Sequence, residues 1–354
     1  MSFSSRLQLV QNHLSGSTKE KSKIVASAVD YLYFDDLLTP EEKTLRKEIR
    51  EFMEKEVAPV ISRYVEKAEF PYDIVHKIGE KEWIKLFLKR PYGKEVSHTS
   101  YGLASMELAR VDAGIATFLV VQMGLALYTL ELFASDKQKQ KYYDDFIKCR
   151  KLVGWGLTEE NYGSDASSIS STVAKVDGGY RLNGDKRWIG NSNGDYVIVW
   201  AKDRDTKEIG AYLVPLKQAG VQVEIIKHKL ALRIVQNGQL RFNNVFIPEE
   251  NKLPGAKGFE SVNKVLEHSR LFVAWMATGV ALGVYDNVIK YIDNRKQFGK
   301  KISGFQLSQE KLSRIMAITQ AMLTLVWRVT RLYEQGKATI GRAAMTKAWA
   351  TKMA

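Results

Sequence analysis

Apolar residues recur with a helical period from Leu45 onward, where Leu45, Ile49, Phe52, Met53 and Val57 form one stripe. Thr39-Pro40-Glu41-Glu42 supplies the start signals of that helix: an N-cap, a proline at the first helical position and a capping-box glutamate. Pro59 predicts its end. The same period predicts helices over 72–86, 101–111, 117–133 and 136–148. Between Val153 and Pro254 the period falls to two. Strands are expected over 171–176 and 180–183, flanking Asp177-Gly178-Gly179, with Asn183-Gly184 read as a second hairpin turn. Further strands are expected over 195–202, 209–215, 221–227 and 238–247, which together predict a small antiparallel barrel or sandwich. Helical periodicity returns after Gly258. One helix is expected over 259–298, roughly 60 Å long at 1.5 Å per residue, with Gly299 as its C′ residue. A second is expected over 303–335, with Ser303-x-x-Gln306 as its capping box, and a third begins at Thr339. Two long helices joined by a short loop predict an antiparallel bundle.

The predicted fold class is therefore α+β and multidomain. An N-terminal helical domain spans 35–150, a central antiparallel β-barrel or sandwich spans 151–256, and a C-terminal antiparallel helical bundle spans 257–354, incomplete inside its third helix. Residues 1–34 read as a polar, Ser- and Lys-rich extension. Within it, Arg6-Leu7 and His13-Leu14 fall on one helix face two turns apart, a spacing that resembles an N-terminal peroxisomal targeting nonapeptide. A mitochondrial presequence, which normally carries more arginine, or a frayed terminus is the alternative.

Composition narrows the chemistry. The formal charge is +13, but basic residues are interleaved with acidic ones, as over 41–56, so the charge reads as a solvated surface and not as a nucleic-acid footprint. Cys149 is the one cysteine and no two of the five histidines sit at metal-ligand spacing, so neither a disulfide framework nor a metal site is expected. No segment approaches the roughly 18 consecutive apolar residues of a membrane span.

Candidate chemistry lies in four stations. Residues 155–165 read W-G-L-T-E-E-N-Y-G-S-D. A turn presenting backbone N–H groups and the Thr158 hydroxyl suits the pyrimidine edge of a flavin, and Gly163 lets Ser164 approach a ligand closely. Trp155 and Leu157 open that string. Trp188, followed by Ile189 and Gly190, offers an indole to cover one face of the ring, although a tryptophan in a half-buried strand is more often core. Arg295, Gln297 and Phe298, with Gln306 beyond them, suit a pyrophosphate, because the arginine fork donates paired hydrogen bonds; taken without the other motifs, dipole and capping roles at helix ends are the preferred reading. Arg270 faces either an acyl thioester or an acidic neighbour.

With these stations in order the chain resembles the acyl-CoA dehydrogenase and oxidase family from about Leu37 to its last residue. The likeness is greatest to the plant-type peroxisomal short-chain oxidase branch. It runs through D-L-L-T-P-E-E from Asp36, M-E-K-E-V-A-P from Met53, E-K-A-E-F-P from Glu66 and A-R-V-D from Ala109. It continues through K-R-W-I-G-N-S from Lys186, L-R-I-V-Q-N-G from Leu232, R-K-Q-F-G from Arg295 and F-Q-L-S-Q-E-K-L from Phe305. The resemblance implies FAD and a homo-oligomer, dimer or tetramer, in which FAD is shared across subunits. It assigns Trp155, Leu157, Thr158, Gly163, Ser164, Trp188, Ile189 and Gly190 to the flavin, and Ser164 and Arg270 to the acyl-CoA substrate. Arg295, Gln297, Phe298 and Gln306 would reach the FAD of a neighbouring subunit. The implied reaction is α-proton abstraction by a glutamate with β-hydride transfer to the flavin, giving a trans-2-enoyl-CoA.

Departures from the family pattern shape the expectation. The usual base lies in a Glu-Gly-Thr near the C-terminus, after a Gln-x-x-Gly-Gly-x-Gly segment, and the sequence to Ala354 contains neither. The base is therefore expected beyond Ala354, in a C-terminally incomplete chain, and no catalytic residue is assigned. Relatives with the base on the long helix carry it just before the arginine, where this chain has Ser269; Glu267, two residues away, faces elsewhere by roughly 160°. Glu160 stands where proline is usual, and Ala116 where glutaryl-CoA relatives carry an arginine, so a dicarboxylyl substrate is not expected. The leading expectation is a peroxisomal oxidase of short straight-chain acyl-CoA, passing electrons to oxygen. It rests on the branch, the targeting pattern and Gly190 leaving the flavin less covered. The alternatives are a mitochondrial matrix dehydrogenase that passes electrons to a flavoprotein, and a shortened relative that binds acyl-CoA or partner subunits without turnover. A DNA-binding flavoprotein relative has only the charge in its favour.

Overall fold

The computed structural model describes residues 31–354, so the Arg6-Leu7 and His13-Leu14 pattern lies outside the described residues. Helix α1 (Pro40–Phe52) starts as its sequence requires: Thr39 Oγ1 accepts the Glu42 N–H, and the Glu42 carboxylate accepts the Thr39 N–H. Glu42 is buried and also accepts from Ser97 and Arg331, so this cap fastens the N-terminal helices to the C-terminal bundle. Instead of ending cleanly before Pro59, α1 passes into a π-helical turn, Met53–Val57, and then α2 (Ile61–Lys67). Helix α3 (Tyr72–Gly79) is shorter than its pattern suggests, because Glu82–Lys85 is a separate 3-10 turn. Next come α4 (His98–Val111) and α5 (Ala113–Leu119), then a π-helical stretch Val120–Leu127, α6 (Tyr128–Phe133) and α7 (Asp136–Ile147).

The central unit is a seven-stranded curled sheet: β1 (Val153–Gly156), β2 (Thr172–Val176), β3 (Gly179–Ile189), β4 (Tyr196–Asp203), β5 (Ile209–Pro215), β6 (Val221–Ile225) and β7 (Gly238–Pro248). Their order is β1-β4-β2-β3-β7-β6, with β5 on β4. Two features differ from the expectation. Strands β1 and β2 both run parallel to β4, because each is separated from it by the β3 segment, long enough to serve as a crossover. Asn183-Gly184 makes no turn; β3 continues through it and the pairing with β7 slips by one residue there, a bulge. Gly184 has φ +138, and a Cβ would overlap the Ser171 side chain, so the glycine serves a close approach and not a hairpin. Strand β4 alternates between two cores. Val197, Val199 and Ala201 pack inside the sheet, whereas Ile198 and Trp200 pack against the N-terminal helices.

Helix α8 (Gly258–Asn294) carries the C-terminal bundle and lies directly on α4. A Cβ at Gly279 or Gly283 would overlap the carbonyls of Met106 and Arg110, so the two backbones meet closely. The ion cluster of Glu107 with Arg46, Arg50 and Arg110, and of Asp286 with Arg50 and Arg110, ties α1, α4 and α8 together. Helix α8 ends earlier than expected. Arg295 is already extended, and a ribbon of β8 (Lys296–Gln297) and β9 (Lys300–Lys301) follows. Phe298 and Gly299, at φ 50 and 74, form its tight turn, so Gly299 is a hairpin residue and not a helix C′ residue. The capping box expected at Ser303 and Gln306 does not form. Ser303 is buried in a 3-10 turn, and α9 (Gln306–Glu334) starts after Phe305 without a side-chain cap. Thr339 caps α10 (Ile340–Met353). The stretches Ala113–Phe133 and Gly258–Asn294 are long and apolar enough to cross a bilayer, but most of each is buried within the fold.

Candidate functional site

The loop that leaves β1 is fixed from beneath by one carboxylate. Glu159 Oε1 lies 2.7 Å from Lys186 Nζ and accepts the Ser171 N–H at 2.9 Å. Its Oε2 accepts the Ser170 N–H at 2.6 Å and the Ser170 hydroxyl at 2.7 Å. Lys186 Nζ also donates to the Leu157 carbonyl at 3.0 Å. Burial acts to raise the Glu159 carboxyl, but the Lys186 ammonium and the Ser170 donors outweigh it and hold the carboxyl at about 2. Burial pulls the Lys186 ammonium down to about 8, against the attraction of Glu159. Both groups are ionised at neutral pH, since the carboxylate has four donors. In the primary structure Lys186 reads only as the start of a strand segment, and nothing local in the sequence links it to Glu159, 27 residues earlier.

Above that pair, β3 is bound to the loop. The Arg187 N–H donates to the Thr158 carbonyl at 2.8 Å, and Glu160 Oε1 lies 2.6 Å from Arg187 Nη1. Between Lys186 and Ile189 the β3–β7 register slips again, and Trp188 bulges outward at φ +63 with 53% of its surface exposed. A large indole is thus exposed on a backbone conformation that side chains other than glycine rarely adopt. Leu157 is buried and Thr158 half-buried, while Gly163 and Ser164 are exposed. A Cβ at Gly163 would meet nothing within 4 Å, so the space over that residue is open. The structure therefore brings Thr158, Glu160, Arg187 and Trp188 together at the rim, with Gly163 and Ser164 on the exposed arm of the same loop.

Other expected site residues lie elsewhere. Trp155 is a core residue: its Nε1 donates to Thr129 Oγ1 at 2.9 Å and its ring meets Trp200 edge-on. Ile189 is buried in the sheet interior. Gly190 does not leave a gap, because a Cβ there would lie 3.0 Å from Val121 Cγ2; the π-helical stretch already fills the place. That removes Gly190 as an argument for oxygen access. On α8, Arg270 is half-buried and its Nη1 is sealed from solvent without a hydrogen-bond partner, the condition of a cation that awaits an acceptor. Ser269 donates its hydroxyl to the Leu266 carbonyl at 3.1 Å. His268, just before them, is wholly buried and stacked on Tyr128 at 3.7 Å; burial, then nearby His98, keeps it neutral. Arg295, Gln297, Phe298 and Gln306 are exposed and none bonds the 157–165 loop; Phe298 is 92% exposed at the ribbon tip. Gln297 and Phe298 belong to the β8–β9 ribbon, Arg295 precedes it and Gln306 starts α9.

These residues suit a flat, anionic cofactor: an open loop of backbone, an exposed indole and an arginine with a free donor. Sequence models of the N-terminal, middle and C-terminal domains of acyl-CoA dehydrogenase match residues 39–150, 154–245 and 256–354. The chain is 32% identical over 329 residues to a caffeyl-CoA reductase-Etf complex subunit of Acetobacterium woodii, covering 91% of this chain and 86% of that one. It is 31% identical to the mitochondrial short-chain specific acyl-CoA dehydrogenase of Rattus norvegicus, covering 88% of this chain and 77% of the other. Among solved structures, butyryl-CoA dehydrogenase from Megasphaera elsdenii superposes with a TM-score of 0.84 at 29% identity, covering 90% of this chain and 85% of that one. A glutaryl-CoA dehydrogenase from Mycobacterium smegmatis, in complex with FADH2, superposes at 0.88 and 26% identity, covering 92% and 84%.

Proposed function

The chain belongs to the acyl-CoA dehydrogenase family, and from that premise we propose that it oxidises short-chain acyl-CoA thioesters to 2-enoyl-CoA, with FAD as cofactor and an electron-transferring flavoprotein as onward acceptor. One observation carries the assignment of the site: the exposed Trp188 bulge held against the 157–164 loop over the buried Glu159–Lys186 pair. FAD, when bound, supplies the two-electron acceptor. Thr158 and the backbone at Gly163 and Ser164 would hold the ring edge, and Trp188 would cover one face and exclude water. Arg270, with an unpaired donor, would bind a thioester or phosphate oxygen of the substrate. Ser269 donates its hydroxyl hydrogen bond to the Leu266 carbonyl, and proton abstraction is not assigned to it. The ribbon carrying Arg295, Gln297 and Phe298, with Gln306, would serve the FAD of a second copy.

The dehydrogenase reading displaces the oxidase expectation. The relatives named above are dehydrogenases and a reductase, one of them a subunit of an Etf complex. A mitochondrial matrix location accords with the rat relative, and the peroxisomal expectation finds no support among them. The test is an anaerobic titration of the yellow protein with butyryl-CoA, followed by mixing with either electron-transferring flavoprotein or aerated buffer. Bleaching with faster reoxidation by the flavoprotein is expected. Faster reoxidation by oxygen restores the oxidase reading, and bound FAD that does not bleach favours a binding protein without turnover.

A further inference from the structure

Glu160 occupies the loop position at which proline is usual, and the structure gives it three attachments. Its N–H donates to Asp185 Oδ2 at 3.1 Å, its Oε1 pairs with Arg187 Nη1 at 2.6 Å, and its Oε2 accepts from Gln239 Nε2 at 3.0 Å. Arg187 is correspondingly fixed at both ends. Its main-chain N–H is on Thr158, and its guanidinium lies 5.5 Å from the Trp188 ring centroid, within cation–π range. Trp188, at the bulge, has one further tether, the Asn237 amide on its carbonyl at 3.2 Å.

We propose that Glu160 and Arg187 are positioning residues of the flavin site, a charge-paired clamp that orients Trp188 and keeps the rim electrically neutral. The proposal rests on the FAD reading for its second half and on geometry alone for its first. An exposed ion pair contributes little to global stability. Here its effect is local: Glu160 reaches across from the loop to the strand, so the guanidinium cannot swing away from the indole. Its charge effect follows from the chemistry of the ring. Reduction of a flavin places negative charge on the pyrimidine edge, which a bare carboxylate opposes and a bare guanidinium favours. With the two paired, these influences cancel. The Gln239 amide and then Arg187 hold the Glu160 carboxyl below its usual range, so the pair stays ionised through the neutral region.

Two measurements test the clamp. Acrylamide quenching of the Trp188 emission, taken as the difference from Trp188→Phe, is expected to increase in Glu160→Gln and in Arg187→Met; equal quenching in all three backgrounds overturns the positioning role. That arm requires no flavin. The midpoint potential of bound FAD is expected to rise in Glu160→Gln, where the guanidinium is left unpaired. It should fall in Arg187→Met, where the carboxylate is left unpaired, and return near the starting value in the double variant. Shifts of the same sign, or none, overturn the electrostatic role, because a merely structural disturbance has no reason to reverse sign. Arg187→Lys, which keeps the charge and loses the planar fork, is expected to restore the potential but not the quenching. Protein that folds and binds no FAD refutes the cofactor reading, and the quenching result still decides the clamp.

Discussion

Glu159 and Lys186 form an ion pair at 2.7 Å with both side chains about 1% exposed or less, at the root of the loop that opens the site. Removing one partner leaves the other as a buried, uncompensated charge, which typically costs about 3–5 kcal/mol. Glu159→Gln and Lys186→Met are each expected to destabilise by that order in chemical unfolding, with the double variant losing less than the sum. The acid side follows from linkage. Glu159 is held at about 2 when folded against 4.5 as its ordinary value, so the unfolded chain takes up the proton first. The stability due to this group is complete above about pH 4.5 and is lost as the pH falls towards 2. In Glu159→Gln that part of the acid limb should vanish; an unchanged limb would show that other carboxylates govern it.

A second prediction concerns the joint between the helices and the sheet. Gln122, wholly buried in the π-helical stretch, donates to the carbonyls of Phe146 and Lys151 at 3.0 and 3.2 Å. Its oxygen accepts the Val153 N–H at 2.9 Å and the Asn191 amide at 3.4 Å. The π-helical stretch thus presents one side-chain amide to four partners. Gln122→Met keeps the volume and strands these groups, at a cost of about 1–3 kcal/mol each where no water enters. Faster amide exchange at Val153, measured under native conditions, is the expected local sign. Exchange unchanged from the starting protein would mean that β1 is held by its pairing to β4 alone.

Periodicity made the helices and most strands legible because burial on one face enforces it, as in α1, where Ile49 and Phe52 are buried. Features set by long-range contacts were not legible. Asn183-Gly184 carries the dipeptide of a hairpin, yet the neighbouring Ser171 and the pairing to β7 turn it into a bulge. Arg295–Gly299 looks like a helix terminus because basic residues precede a glycine at the end of a helical pattern, and only the turn at Phe298 shows the ribbon. At the site, the loop and Trp188 were visible as an ordered string. The Glu159–Lys186 and Glu160–Arg187 pairs were not, because partners 27 residues apart leave no local signal. Trp155 shows the converse: a motif residue whose ring is wholly engaged by Thr129 and Trp200.

Gly190 and Val121 make a third test. A Cβ at position 190 lies 3.0 Å from Val121 Cγ2, so Gly190→Ala needs a shift of a few tenths of an ångström, and Gly190→Thr needs more. The threonine variant is expected to lose about 1–3 kcal/mol by overpacking. Val121→Ala should restore part of that loss in the double variant, measured as a coupling energy in urea unfolding. Additive losses would place the threonine somewhere other than against Val121. Any change in oxygen reactivity of Gly190→Thr is to be judged against the double variant, since a displaced π stretch alters the site without covering it.

Phe298 provides the last test, of whether a second copy completes the site. Its ring is 92% exposed at the ribbon tip, edge-on to Phe305 at 6.1 Å, and Lys300 Nζ sits 4.3 Å from the Phe305 centroid. An aromatic side chain so little used within its own chain contributes almost nothing to the folded monomer. Phe298→Ala should therefore change the unfolding free energy by no more than about 0.5 kcal/mol. If the ribbon reaches the FAD of a second copy, the same variant should release flavin during size-exclusion chromatography while the folded protein persists. Arg295→Met is expected to act in the same direction, and most strongly at low salt, because a guanidinium held against a pyrophosphate is a charge contact that salt screens. Full retention of flavin by both variants would confine the cofactor site to the 157–164 loop and Trp188 of a single chain.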